Sequence, residues 1–167
     1  MKQGDRVRVT TFVDVAPSDA FDVFTRETNL WWRRGRRYRV NPEPSSVLRF
    51  EPRFGGRLYE TLEDGAEHVA GRVLAWEPGA RLVFEWRAVN FAPSQRTEVE
   101  VLFEAMNGGT QVTLEHRGWA ALPEDHPVRH GLGSGESFIS MMGLWWGGLM
   151  TDYRQRSTEL KSQRPSS

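Results

Sequence analysis

The sequence predicts an α+β fold in which a curved antiparallel β-sheet wraps around one long C-terminal α-helix, with two short helices after the first strand. Residues 47–117 read as strands joined by turns, and each strand is apolar on one face only. Residues 136–160 carry an amphipathic helical pattern instead. This is the only predicted helix long enough to cover the apolar side of the sheet. If the sheet does not close around the helix, the gap between them is a cavity.

The first predicted elements are a strand and two short helices. Residues 6–15 alternate between apolar and polar side chains, which is typical of a half-buried strand. Pro17 suits the first turn of a helix, and a second helical turn is expected over residues 29–32. The predicted buried side of the first helix consists of Ala20, Phe21, Val23 and Phe24.

Six further strands are expected, separated by turns that contain glycine or proline. Asp-Gly at residues 64–65 is a strong hairpin signal, and residues 78–79 and 107–109 also have turn composition. Alternation is clearest in the last two strands, which predicts one buried and one solvated face for each. The predicted strands are residues 47–51, 57–62, 68–77, 81–87, 97–105 and 110–117.

The long C-terminal helix is predicted from the spacing of its large apolar residues. Phe138, Met142, Trp145, Leu149 and Tyr153 recur at intervals of three and four, so they share one face of a helix. That face is expected to pack against the sheet.

Other residues of this helix widen its apolar surface or interrupt it. Three glycines within a helix indicate either close packing or a kink, or space left beside the helix by missing side chains. The additional apolar residues predict that the first four turns are mostly buried. The glycines are Gly143, Gly147 and Gly148, and the additional apolar residues are Met141, Leu144, Trp146 and Met150.

Composition limits the function classes. The chain has 167 residues, which predicts one domain over residues 1–167, and its 22 basic and 22 acidic residues balance. We therefore expect no overall attraction to nucleic acid or to an anionic membrane. The absence of cysteine excludes disulfides, thiolate catalysis and cysteine zinc sites. Without a signal-peptide pattern or a membrane-spanning apolar run, the sequence predicts a soluble cytoplasmic monomer or homodimer.

A series of short motifs runs in order through nearly the whole chain. No single motif is specific, but the series is. It consists of Ala20-Phe21-Asp22-Val23-Phe24, Trp31-Trp32, residues 51–60 (EPRFGGRLYE), the turn at residues 63–65, residues 71–78 (GRVLAWEP), residues 81–86 (RLVFEW), residues 112–119 (VTLEHRGW), and Trp146 with Leu149 and Met150.

This series resembles the START-like, or SRPBCC, superfamily. More narrowly, it is similar to bacterial proteins related to the C-terminal domain of the activator of the heat-shock-protein ATPase. The resemblance implies the helix-grip fold. It also implies ligand binding between sheet and helix, because the superfamily binds lipids, sterols, hormones and polyketides, and some members cyclise or hydrolyse. Members often carry prolines after the Trp-Trp pair, where this chain has arginines instead.

Two titratable residues are candidates for acid/base chemistry or ligand anchoring. His116 alternates with Val112 and Leu114, so it should point inward, either as a base, as a ligand donor or as a hydrogen-bonded structural residue. Glu60 shares a face with Leu58 and could also point inward. The favoured alternative places its carboxylate in solvent at the rim, or in a pair with Arg57 or Arg72. No catalytic motif is defensible for either residue.

The aromatic residues could line a pocket for a flat apolar molecule, or they could simply fill the core. Trp86 fits the core interpretation best, although it is also a candidate for the pocket. The full set of predicted ligand-binding residues is Trp32, Tyr59, Trp86, Phe103, His116, Trp119, Phe138, Met142, Trp145 and Leu149.

An arginine run follows the Trp-Trp pair. It could bind a carboxylate or phosphate at the mouth of the cavity, form a weak single-strand nucleic-acid surface, or be a solvated loop. The residues of the predicted anion site are Arg33, Arg34, Arg36 and Arg37. No metal site and no cofactor are expected.

Three functions remain open at this stage. The first is binding of a small hydrophobic or amphipathic ligand, anionic if the arginines contribute. The second is a cyclase or hydrolase that uses His116 or Glu60 in the same cavity. The third is a protein-interaction module such as a chaperone partner.

Overall fold

The computed structural model describes residues 6–33, 46–87, 91–133 and 135–163, and the elements within them follow the predicted order. Arg34, Arg36 and Arg37 lie outside the described residues. The elements are β1 (Arg6–Val13), α1 (Pro17–Arg26), α2 (Thr28–Trp31), β2 (Val47–Phe50), β3 (Arg57–Thr61), β4 (Glu67–Glu77), β5 (Arg81–Trp86), β6 (Thr97–Met106), β7 (Gly109–Arg117), two 3-10 turns (Trp119–Ala121 and Pro127–Arg129) and α3 (Glu136–Gln163).

The seven strands form one curled antiparallel sheet in the order β1-β7-β6-β5-β4-β3-β2. The first strand therefore pairs with the last, and β1 and β2 form the two edges. Register shifts at Leu58/Tyr59 and at Val73/Ala75 interrupt the pairing of β4 with each of its neighbours. Such irregularities bend and twist strands, which helps the sheet to curl.

Gly71 in β4 allows β4 and β5 to approach closely beside these irregularities. A Cβ at this position would lie 1.8 Å from the carbonyl oxygen of Glu85. No side chain fits there without separating the two strands, so the glycine is required by packing.

The side of the sheet that faces α3, called here the dry face, carries the predicted apolar residues. Thr97, Val99, Val101 and Phe103 of β6 are all buried, which confirms the alternation predicted for that strand. The predicted inward face of α3 is also confirmed, because each of its residues is at most 6% exposed. These residues are Phe138, Met142, Trp145, Leu149 and Tyr153.

One residue assigned to the apolar surface of α3 lies elsewhere. Leu144 is 79% exposed, so the prediction of its burial is wrong. At about 100° per residue, position 144 lies on the far side of the helix from the buried face. Gly143 and Gly147 also have open space beside them, with nothing within 4 Å of an added Cβ.

None of the described helices is long and apolar enough to span a membrane.

The outer face of the sheet carries a network of ion pairs centred on Arg117. Its guanidinium lies 2.7 Å from Glu98, 2.7 Å from Glu100 and 3.4 Å from Glu115. Glu100 and Glu115 are direct cross-strand partners, and like charges at such positions repel. Arg117 therefore stabilises the strand pair by neutralising this repulsion. Its hydrogen bond is also the main reason that the pKa of Glu100 is lowered.

Replacing Arg117 with leucine should lower the free energy of unfolding by about 1–3 kcal/mol, because three neighbouring carboxylates lose their shared partner. The loss should shrink in 1 M NaCl, which screens the remaining repulsion. Urea denaturation followed by tryptophan fluorescence measures both values. Arg8→Leu is the matched control, because Arg8 is 69% exposed and touches this network only through Glu115. Equal losses in the two variants would contradict the central role of Arg117.

Candidate functional site

Aromatic rings from four parts of the chain meet on the dry face. This aromatic cluster is centred on Trp145 of α3, whose ring centroid lies 4.9 Å from that of Trp146, 5.6 Å from Trp86 and 6.3 Å from Trp32. The contacts are edge-to-face, the geometry that aromatic pairs prefer. The cluster comprises Trp32, Phe84, Trp86, His116, Trp119, Phe138, Trp145 and Trp146.

These rings occupy much of the space between sheet and α3. Trp32, Trp119, Trp146 and Phe138 are each at most 1% exposed. In the described residues, the core-packing interpretation of the aromatic set therefore accounts for the resting arrangement. A ligand on this face would have to displace one or more rings.

His116 sits inside the cluster with both ring nitrogens engaged. Trp146 Nε1 can only donate, so Nδ1 of His116, 2.9 Å away, is the acceptor. The ring hydrogen is then on Nε2 and donates to Thr97 Oγ1 at 2.6 Å, and Thr97 in turn donates to the carbonyl of Trp86 at 2.9 Å. This chain of hydrogen bonds joins α3, β7, β6 and β5.

Burial keeps this histidine neutral. His116 is completely inaccessible, and the desolvation that this imposes lowers its pKa to about 3. A neutral ring with both nitrogens hydrogen-bonded has no free lone pair to accept a proton from a substrate. The arrangement therefore matches the structural interpretation of His116 better than the catalytic one.

Glu60 lies on the dry face of β3, as its alternation with Leu58 predicts. Its side chain is 0% exposed, so the favoured interpretation of a solvated carboxylate at the rim is wrong. The arginines proposed as its partners have other contacts: Arg57 pairs with Glu51 and Glu67, and Arg72 donates to the Gly55 carbonyl. A buried carboxylate on an otherwise apolar face is costly to stability even when paired.

Tyr59 is the predicted ligand-binding residue whose side chain lies on the outer face of the sheet, away from the aromatic cluster. It lies between Leu58 and Glu60, which both point to the dry face, so its ring lies on the outer face. There it packs beneath the guanidinium of Arg57, 4.3 Å from the ring centroid. Because side chains alternate along a strand, Tyr59 and Glu60 cannot both line one pocket.

The remaining predicted ligand residues are buried but not all adjacent. Phe103 packs against Phe21 and Phe24 of α1, at 5.3 and 6.2 Å. Met142 and Leu149 lie on the inward face of α3, one turn on either side of Trp145. Phe103 therefore belongs to the packing of α1 on the sheet, whereas Met142 and Leu149 flank the cluster.

A groove between α2 and α3 adjoins the cluster at Trp32. It has a volume of about 320 Å³, and Trp32, Arg33 and Asp152 are among its lining residues. The guanidinium of Arg33 contacts Asp152 Oδ2 at 2.6 Å and the carbonyl of Gly148 at 3.3 Å. A Cβ at residue 148 would lie 3.0 Å from that guanidinium, so Gly148 permits the close approach of Arg33 to α3. The structure thus brings Trp32 and Arg33 together at one opening.

Arg129 is a buried charge that no pattern in the sequence predicts. It is 1% exposed, and its guanidinium lies 4.7 Å from the ring centroid of Phe138. Burial lowers its pKa, although arginine remains charged at neutral pH. The sequence around it, PEDHPVRH at residues 123–130, has the composition of a loop and nothing that indicates a buried charge. Four backbone carbonyls accept hydrogen bonds from it, those of Trp119, Leu122, Pro123 and Gly133.

His126 joins this loop to the segment before β6. Its Nδ1 accepts from the backbone N–H of Val128, and its Nε2 donates to Gln95 Oε1 at 2.8 Å. Partial burial lowers its pKa. The bond accepted by Nδ1 requires the neutral ring, because a charged imidazole donates from both nitrogens. Together with Arg129, His126 fixes the loop that covers Trp119.

Residues 14–141 match the family model described as Activator of Hsp90 ATPase homolog 1-like protein. The match spans well over half of the chain, from the end of β1 into α3. The chain belongs to this family. Its activator-like fold agrees with the resemblance drawn from the short motifs. No curated protein matches the chain significantly.

Solved structures show the same fold. Protein MLL2253 from Mesorhizobium loti is 17% identical and has a TM-score of 0.64, with 96% of this chain and 99% of that chain covered. Protein NE0264 from Nitrosomonas europaea is 16% identical, with a TM-score of 0.62 and coverages of 97% and 99%. The Aha1 dimer from Colwellia psychrerythraea is 12% identical, with a TM-score of 0.60 and coverages of 89% and 92%. At such identities the likeness concerns the fold alone.

Proposed function

We propose that this protein binds a small hydrophobic or amphipathic ligand at the aromatic cluster. The observation that carries the proposal is the position of Trp32. Its ring contacts Trp145 and Trp146 inside the cluster, and it also lines the groove that holds Arg33. A ligand could therefore place its polar end beside Arg33 and its apolar body among the rings, the usual combination in small-molecule sites.

Binding of this kind requires a ring to move. Trp145 is the best candidate, because it lies at the centre of the ring contacts and retains 6% exposure. Each Å² of apolar ligand surface buried contributes roughly 25 cal/mol, which can offset the lost contacts of one displaced ring. The protein would then be closed when empty and would open around its ligand.

Truncation of Trp145 tests this arrangement. Trp145→Ala should bind the neutral flat probe N-phenyl-1-naphthylamine about tenfold or more tightly than wild type, because a cavity left by a truncated core side chain accepts apolar molecules. Fluorescence titration gives the affinity, and near-ultraviolet circular dichroism verifies that packing persists. Trp76→Ala is the control, since Trp76 contacts Phe21 rather than the cluster.

The groove is tested by a matched anionic probe. 8-Anilinonaphthalene-1-sulfonate differs from the neutral probe only by its sulfonate. Arg33→Gln should therefore lower the affinity for this anionic probe and leave the affinity for the neutral probe unchanged. Native mass spectrometry of the purified wild type should also retain a mass that disappears on denaturation. Equal probe binding by Trp145→Ala and Trp76→Ala, together with no retained mass, would overturn the proposal.

The two other candidate functions have less support from the geometry. An acid/base role for His116 would need an available ring nitrogen, and both are engaged. A role as a chaperone partner has no specific contact surface in its favour among the described residues.

A further inference from the structure

Trp119 has a buried hydrogen-bond donor with no partner among the described residues. Its side chain is 0% exposed, and its Nε1 atom donates to no atom in that part of the chain. Buried indole N–H groups normally have an acceptor, and leaving one without an acceptor costs stability. This N–H group can therefore donate one hydrogen bond that no described residue accepts.

The surroundings of the indole show that no small rearrangement of its ring neighbours supplies the acceptor. The contacting rings are His116 at 4.4 Å, Phe138 at 5.0 Å and Phe91 at 6.4 Å. Phenylalanine has no acceptor atom. His116 uses Nδ1 to accept from Trp146, and its Nε2 carries a hydrogen. None of these three rings can therefore supply the acceptor.

The indole is also fixed in place, so the N–H direction is preorganised. Arg129 holds the Trp119 backbone carbonyl through a hydrogen bond of 2.7 Å and packs on Phe138. Trp119 is connected to the centre of the cluster through His116 and Trp86, whose rings lie 5.5 Å apart. A molecule that displaces Trp145 from Trp86 would enter the same continuous aromatic surface.

We infer that Trp119 Nε1 is the specificity donor of this site, and that the ligand carries a hydrogen-bond acceptor oxygen on a largely apolar body. This inference rests on the proposed function. A plain hydrocarbon would leave the N–H unpaired, whereas a carbonyl, ether or hydroxyl oxygen would satisfy it. A bound water could provide the same oxygen, and the experiment distinguishes the two sources.

Two probes of nearly equal shape test the inference on the wild-type protein. 2-Acetylnaphthalene carries a carbonyl oxygen where 2-isopropenylnaphthalene carries a methylene group. The 7 tryptophans give separate indole N–H resonances in a ¹⁵N-labelled sample, and the Trp119→Phe spectrum assigns the one of interest. The ketone should move the Trp119 resonance downfield, and the hydrocarbon should not. The Trp31 indole, which donates to the Val23 carbonyl, serves as an internal control.

The affinities of the protein for the two probes test the same inference independently. The ratio of the two dissociation constants should change by roughly three- to tenfold in Trp119→Phe, the effect of one hydrogen bond. Trp76→Phe should leave the ratio unchanged. If both probes bind but move the Trp119 resonance equally, a water satisfies the N–H and the inference fails while ligand binding stands. If neither probe perturbs any indole resonance, ligand binding itself fails, and the inference with it.

Discussion

Replacing Arg129 with methionine is expected to lower the free energy of unfolding by about 3–5 kcal/mol, one of the two largest effects foreseen for this fold. The side chain is 1% exposed, and its guanidinium satisfies four carbonyls between residues 119 and 133. Methionine has a similar apolar stem but no donor. The carbonyls would then remain buried without partners, or the loop would open and expose Trp119.

The comparison with two other variants separates this effect from a general loss of charge. Arg129→Lys keeps the charge but cannot donate in four directions in one plane, so it should lose nearly as much stability as the methionine variant. Arg154→Met removes an exposed arginine from α3 and should change stability by less than about 0.5 kcal/mol. Urea denaturation monitored by tryptophan fluorescence measures all three. A loss below about 1 kcal/mol in Arg129→Met would show that the loop does not depend on this residue.

Residue alternation made most of the sheet predictable. From Thr97 to Phe103 in β6 and from Thr110 to His116 in β7, every second side chain is apolar, a threonine or His116, and the structure buries these residues. The same rule allowed Glu60 to point inward, although the favoured interpretation placed its carboxylate at the rim or beside an arginine. It did not predict that β1 pairs with β7 at the far edge, because strand order depends on how the whole sheet curls and not on any local pattern.

The candidate site was less predictable, because its details come from contacts between distant segments. The sequence around Arg129 does not distinguish a buried arginine that binds backbone carbonyls from a solvated one. Its partners are backbone carbonyls, which every sequence has. That the N–H of Trp119 has no acceptor among the described residues becomes apparent only from the structure, because it depends on which groups surround the ring. Tyr59 was assigned to the ligand set, although alternation with Leu58 and Glu60 already put it on the outer face.

The second large effect is a loss of stability in acid that depends on His116. Its folded-state pKa is lowered to about 3 by burial, whereas the unfolded chain should protonate near 6.5. The unfolded state therefore binds more protons between these values, so stability falls as the pH falls. The contribution of the neutral His116 to the free energy of unfolding should be complete above about pH 6.5. Below that pH it should fall by about 1.4 kcal/mol per pH unit, down to about pH 3.

Protonation would also break the hydrogen-bond chain. A charged imidazole donates from both nitrogens, so Nδ1 would face the N–H of Trp146 donor to donor, and the link from α3 to β7 would be lost. His116→Gln isolates this contribution, because a glutamine can accept from Trp146 and donate to Thr97 but does not titrate. His126, whose pKa is also lowered, and the carboxylates are the same in both proteins.

Unfolding free energies of wild type and His116→Gln, measured from pH 7 to pH 4, test this assignment. The wild-type curve should fall more steeply, by about 1.4 kcal/mol per pH unit. A difference in slope with similar stability at pH 7 would mean that the histidine acts as a neutral link between helix and sheet, because only its titration has been removed. Parallel curves would instead mean that the proton enters the folded state without cost, and the buried hydrogen-bond chain would then not hold α3 on the sheet.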